Sequence, residues 1–189
     1  MLRSELSVAQ QQLLLSLARQ SIQEGLNNGR AWKVDNEAYE PLLQVPGACF
    51  VTLTIAGQLR GCIGTLEARD PLVEAVAYYA YSAAFSDSRF SPLRADEFER
   101  IEIEISVLSP MKTLAVSNQQ QLLEALVPHV HGLWIEDGNK KATFLPQVWD
   151  NLPSPQSFVE QLKLKAGMSA GHWSDSFKCY IYTVISFEE

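Results

Sequence analysis

The sequence predicts an α+β fold with a mainly antiparallel sheet and helices packed against it. Two short turns and one alternating strand predict it. The apolar run Ala48 to Ile55 meets the turn Ala56-Gly57-Gln58 and returns as Leu59 to Thr65, while Leu133 to Ile135 and Ala142 to Leu145 flank Asp137-Gly138. Turns this short cannot make the long crossovers that parallel strands require. Between Ile101 and Val107 isoleucine and valine alternate with Glu102, Glu104 and Ser106, the period of a strand with one buried face.

Taken in order, Ser7 and Gln10 form a capping box for a first helix. Val8, Leu14, Leu15, Ala18, Ile22 and Leu26 lie along one stripe of it, and Asn27-Asn28-Gly29 ends it. Arg30 to Gly47 is irregular, broken by Pro41 and Pro46, with Trp32 read as a lid over the core edge. After the first hairpin, Asp70-Pro71 opens a helix that buries Leu72, Val76, Tyr79, Ala80 and Ala83. Phe85 to Leu93 turns sharply; Asp87 and Arg89 read as residues that tie this loop down, with Phe90 as its plug. Pro110 closes the alternating strand, and Ser117 with Gln120 predicts a short helix through Val127, stopped by Pro128. Leu145 to Trp149 should lie across the core. Ser154-Pro155 begins a helix to Lys165, Gly167 ends it, and Cys179 to Phe187 reads as one last strand.

A chain of 189 residues with no repeat or linker reads as one domain, 1–189, long enough to build a core without staples. Hydrophobic residues at 47% and charged residues at 20% exclude disorder and membrane classes, and no stretch reaches the roughly 20 apolar residues of a spanning helix. A net charge of −7 makes nucleic acid a poor partner. Cys49, Cys62 and Cys179 are odd in number and lack Cys-x-x-Cys spacing, so free thiols and a cytoplasmic location are expected. His129 and His131 stand at spacing two, but no acidic or thiol residue is spaced to complete a structural metal site, so no metal is expected.

The chemistry concentrates in Gly57 to Thr65, where a basic residue, a thiol and three glycines share a few positions. Strand alternation puts Arg60, Cys62 and Gly64 on one side and Leu59, Gly61, Ile63 and Thr65 on the other. Glycine within a strand points to a bulge or a close approach by another backbone. No phosphate-binding glycine loop, zinc-protease helix or serine elbow is present, which leaves Cys62 as the candidate nucleophile, with Arg60 as the cation that favours a thiolate. The competing reading makes Cys62 a small packed apolar residue.

The run Leu-Arg-Gly-Cys-Ile-Gly-Thr (59–65) resembles the signature of the AMMECR domain family, whose bacterial and archaeal members are also called protein A of the AmmeMemoRadiSam set. The likeness continues through Ala83 to Leu93, Ile103 to Ser109, Leu145 to Trp149 and Lys165-Ala166-Gly167, in the family's order. It implies an α+β fold of two lobes in one compact unit, and a joint process with a Memo-like protein and a radical adenosylmethionine enzyme. The chain has no cluster-binding cysteine motif of its own, so radical chemistry would belong to the partner and no cofactor is expected here. The site expected from these readings is a cleft at the hairpin with Cys62 as the catalytic candidate and Arg60, Gly61, Gly64, Asp87, Arg89 and Glu104 binding a small anionic ligand. Arg60 is expected to pair with Glu104 or Asp87. The alternative is a noncatalytic module that offers the same surface to a protein partner.

Overall fold

A computed structural model of the chain describes residues 6–189. Two units emerge, one running through Leu108 and regaining Ile185–Glu189, the other Ser109–Val184.

In the first unit, α1 (Val8–Asn28) starts at the expected capping box: Ser7 accepts from the Gln10 N–H, and Gln10 reaches back to the Ser7 N–H. Gly29, at φ 68°, ends it. A one-turn helix, α2 (Pro41–Gln44), leads into β1 (Ala48–Ile55), which turns at Ala56-Gly57 into β2 (Gln58–Gly64). Helix α3 (Leu72–Phe85) follows, begun at Pro71 without a side-chain cap, so Asp70 does not cap it. Then comes β3 (Ile101–Leu108). The order is β2-β1-β3 with a fourth strand beyond β3, and both β1–β2 and β1–β3 are antiparallel. Val51, Leu53, Ile103 and Ile105 share one sealed core with Leu14, Leu15, Ile22, Val73, Val76 and Ala80, so α1 and α3 cover one face of this sheet. The alternate residues Phe50, Thr52, Glu102 and Glu104 lie on the other face.

In the second unit, β4 (Lys112–Thr113) precedes α4 (Gln119–Ala125), β5 (Gly132–Asp137), β6 (Lys140–Phe144), α5 (Pro155–Lys165) and β7 (Lys178–Tyr182), with sheet order β4-β7-β5-β6 and antiparallel pairing throughout. The cap of α4 is Asn118, one residue later than predicted, because its carboxamide reaches the Gln121 N–H while Gln121 reaches back to Ser117. The Leu145 to Trp149 stretch forms a 3-10 turn that seats Trp149 in the core, stacked on Phe158 at 3.7 Å between ring centroids. Lys163 is fully buried. Its ammonium donates to Gln119 Oε1 at 2.6 Å and lies 5.5 and 5.4 Å from the Trp173 and Phe177 rings. Desolvation lowers its pKa.

The stretch predicted as one last strand is two: β7 serves the second unit, and after Thr183 the chain continues as β8 (Val184–Glu188), the fourth strand of the first unit's sheet. Among the described residues, no helix is long and apolar enough to cross a membrane.

Candidate functional site

The glycine-flanked hairpin owes its shape to three local features. Ala56 and Gly57 both take left-handed conformations, at φ 51° and 73°, the turn that matches the twist of paired strands. Gly61 faces α3, where an added Cβ would lie 2.1 Å from the Ala83 carbonyl oxygen; at Gly64 it would lie 2.5 Å from the Phe50 ring. Both glycines therefore admit close neighbours, as their place in a strand suggested. The third feature is a bulge. Leu53 pairs with Gly61 and Thr54 with Leu59, so Arg60 is an extra residue opposite nothing.

That bulge overturns part of the expected site. Leu59, opposite Thr54, takes the place on Cys62's face that simple alternation gave to Arg60. The Arg60 guanidinium instead grips Glu97, with Nε and Nη2 donating to the two carboxylate oxygens at 2.9 and 3.0 Å. Its partner is neither Glu104 nor Asp87. Glu97 also accepts the Arg94 N–H at 2.9 Å. The Arg60 hydrogen bonds, helped by the Arg94 N–H and opposed by desolvation, hold the Glu97 carboxyl down at about 2. The Nε–Nη2 edge of Arg60 is committed to Glu97, while its Nη1 is buried without a hydrogen-bond partner.

Asp87 and Arg89 sit against the outer edge of β2. Asp87 Oδ2 accepts the Cys62 N–H at 2.9 Å, and Arg89 Nη2 donates to the Cys62 carbonyl at 3.1 Å. The two side chains also form a double contact with each other, at 2.9 and 2.7 Å, and the arginine holds the buried Asp87 well below the usual carboxylate range. The loop-tying reading of this pair is what the geometry shows. It follows that both backbone groups of Cys62 point away from β1, so Cys62 and its partner Thr52 are a non-hydrogen-bonded pair, whose side chains stand closest. Thr52 Oγ1 donates to Cys62 Sγ at 3.2 Å.

Across β1, Thr52 is also directly opposite Glu104. Cys62, Thr52 and Glu104 thus form one row over three strands, all partly exposed. The adjacent row is Gly64, Phe50 and Ser106, in which Ser106 Oγ donates to Glu104 Oε1 at 3.3 Å and meets Ser186 Oγ at 2.8 Å. The other thiols are sealed in the two cores, and burial pushes Cys49 up to about 12 and Cys179 up to about 11. All three cysteines are unpaired.

Sequence reasoning missed Glu97 and Thr52. Glu97 follows Arg94 by three residues, the spacing at which a carboxylate reaches back to a backbone N–H, and that was its one signal. Elsewhere, His131 Nδ1 accepts the Val127 N–H at 3.1 Å, and His129 lies 3.3 Å from Asp150.

Two antiparallel four-stranded sheets, each with its own helices and core, and a thiol partly exposed on a glycine-flanked edge hairpin define a two-unit α+β protein with a cysteine-bearing sheet face. The chain belongs to the AMMECR1 family, whose sequence pattern matches residues 15–187. It is 36% identical to Protein MK0488 of Methanopyrus kandleri, over 98% of this chain and 91% of that one. It is 33% identical to Protein NEQ441 of Nanoarchaeum equitans, over 93% and 98%. The crystal structure of the uncharacterized protein PH0010 from Pyrococcus horikoshii superposes with a TM-score of 0.80 at 30% identity, covering 94% of this chain and 90% of that chain.

Proposed function

We propose that the Cys62–Thr52–Glu104 row is a thiol-dependent binding site for a small molecule, working in a joint process with a Memo-like protein and a radical enzyme. The observation that carries this reading is the contrast among the thiols: two are sealed in cores, and the third is on the sheet face beside a hydroxyl and in line with a carboxylate. A thiolate is a nucleophile, and Glu104 lies one strand beyond Thr52, so the row sets a nucleophilic thiol, a hydroxyl and, further along, a carboxylate that can hold a polar or cationic part of a ligand. Pairing with Glu97 offsets the charge of Arg60, and burial of its remaining Nη1 keeps that atom from solvent, which weakens the argument for an anionic ligand. A neutral or cationic ligand suits Glu104 better.

One observation favours the noncatalytic alternative. Arg60, Asp87 and Arg89 are all engaged in holding the hairpin and its neighbouring loop, which is what a rigid recognition surface requires. Iodoacetamide labelling of the native protein, read by peptide mass spectrometry, separates the two. The thiol-dependent reading expects Cys62 to be alkylated well before Cys49 and Cys179, and expects a bound small molecule, seen by native mass spectrometry, to be lost in Cys62→Ser and Glu104→Gln. A Cys62 as inert as the buried pair, with no ligand retained, would leave the recognition module.

A further inference from the structure

The first unit carries a second surface, on its helical side, that the thiol site does not use. Between α1 and α2 an extended strip is fastened across α3 by three polar ties. Tyr81 donates its hydroxyl to the Gly29 carbonyl at 2.9 Å. The buried Ser21 accepts the Trp32 N–H at 3.0 Å and donates to the Ala77 carbonyl at 2.7 Å. Asn36 donates its carboxamide N–H to Glu74. Two of these ties flank an open depression of about 280 Å³ lined by Trp32, Lys33, Glu74 and Tyr78. Both rings are exposed, Tyr78 by 57% and Trp32 by 37%. Further along the same strip, a second depression of about 300 Å³ is lined by Leu13, Tyr39 and Glu40.

Each depression is at the lower limit of a ligand pocket, the size of one long side chain, and each combines an aromatic ring with a carboxylate. The strip and its wall expose Asp35, Glu37 and Glu40 and part of Glu74, against Lys33 and, at its start, Arg30, which pairs with Glu24. Flat rings beside carboxylates in a negative surround match a guanidinium, which stacks on an aromatic face while its fork meets an oxygen pair. Two such depressions along one extended strip suit a polypeptide better than an isolated small molecule. We infer that the Ala31–Leu43 strip is a docking surface for a basic, arginine-containing segment of a partner protein. Trp32 and Tyr78 form the stacking wall and Glu74 the charge partner. The fixed ties mean that the surface is formed before binding, which reduces the ordering cost of docking.

The probe is the acetylated, amidated peptide Ala-Arg-Ala-Arg-Ala, titrated into the 189-residue chain against its citrulline counterpart, which keeps the shape without the charge. The reporter is the Trp32 indole N–H resonance, assigned with Trp32→Phe. The arginine peptide should shift this resonance saturably, and the citrulline peptide should not. Glu74→Gln, which still accepts from Asn36, should weaken binding roughly tenfold, the loss of one charge-assisted contact. Tyr78→Ala, at an exposed ring outside the core, should weaken it with no change in melting temperature. Equal shifts from both peptides, no shift at millimolar peptide, or unchanged affinity in both variants would overturn the proposal. Acetylarginine amide binding as tightly as the peptide would overturn the polypeptide occupant.

Discussion

Replacing Glu97 by glutamine tests the strongest electrostatic feature of the site, because it keeps the side chain's shape and removes its charge. Arg60 and Glu97 are 12% and 15% exposed, so the pair lies between the surface class, with about 0 to 1 kcal/mol, and the fully buried class, with about 3 to 5 kcal/mol for removal of one partner. Glu97 accepts two guanidinium hydrogen bonds and one from a backbone N–H. The amide oxygen keeps part of this, so the expected loss at pH 7 is about 2 to 3 kcal/mol, the scale of one hydrogen bond to a charged group. In a protein of this length that corresponds to roughly 5 to 10 °C in melting temperature. The pH dependence has a definite sign. The folded Glu97 carboxyl titrates at about 2 against an ordinary 4.5, so its contribution is complete above about 4.5 and is lost as pH falls through 2. The gap between native protein and Glu97→Gln should therefore be full at neutral pH and close across that acid window. Urea unfolding followed by circular dichroism, with hydrogen exchange of the β2 amides, measures it. A variant within 0.5 kcal/mol of native at pH 7, or a gap unchanged at pH 2.5, would show that the pair does not hold the hairpin.

The other predictions can be checked on the same preparation. Gly61→Ala should destabilise by about 3 kcal/mol or more, the upper end for overpacking, because α3 must retreat from a Cβ otherwise 2.1 Å from a backbone oxygen; a urea midpoint near native would contradict the packing described. Lys163→Met should leave stability within about 1 kcal/mol or raise it, since a buried ammonium that makes no ion pair among the described residues gives way to an apolar chain of similar length; a loss above 2 kcal/mol would mean that its contacts with Gln119 and the two rings outweigh its desolvation. Titration with a thiol reagent in denaturant, without reductant, should count three free groups. Asp137 accepts from Ser174 and Ser176 and contacts His172, contacts that hold it down at about 2, so Asp137→Ala should speed hydrogen exchange across residues 172–176 at pH 7.

The sequence made the antiparallel architecture legible because its cues were local: a left-handed pair at Ala56-Gly57, Asp137-Gly138, and the alternation of β3. The glycines, too, announced close packing. What could not be read was any event set by a distant segment. The bulge at Arg60 depends on how β1 and β2 settle around the Gly61–α3 contact, and it changes the arginine's partner without altering one residue of the pattern. The break at Thr183 was equally hidden, because Cys179 to Phe187 is uniformly strand-like while its two halves join different sheets. Thr52 was visible as a strand residue, but only the register shows that it faces both Cys62 and Glu104.

That break has a bearing on synthesis. A ribosome delivers the first unit's helices and three of its strands early, yet the fourth strand arrives only after all of the second unit has emerged. The late segment brings Glu189, whose N–H donates to the Ile103 carbonyl and whose carboxylate pairs with Arg19 on α1, a residue that also donates to the Phe98 and Ile101 carbonyls. Until then β3 has an open side and Arg19 lacks its counter-charge. The nascent first unit should therefore stay loosely closed and protease-sensitive while its neighbour folds, until residues 184–189 emerge and lock a structure whose beginning was made first.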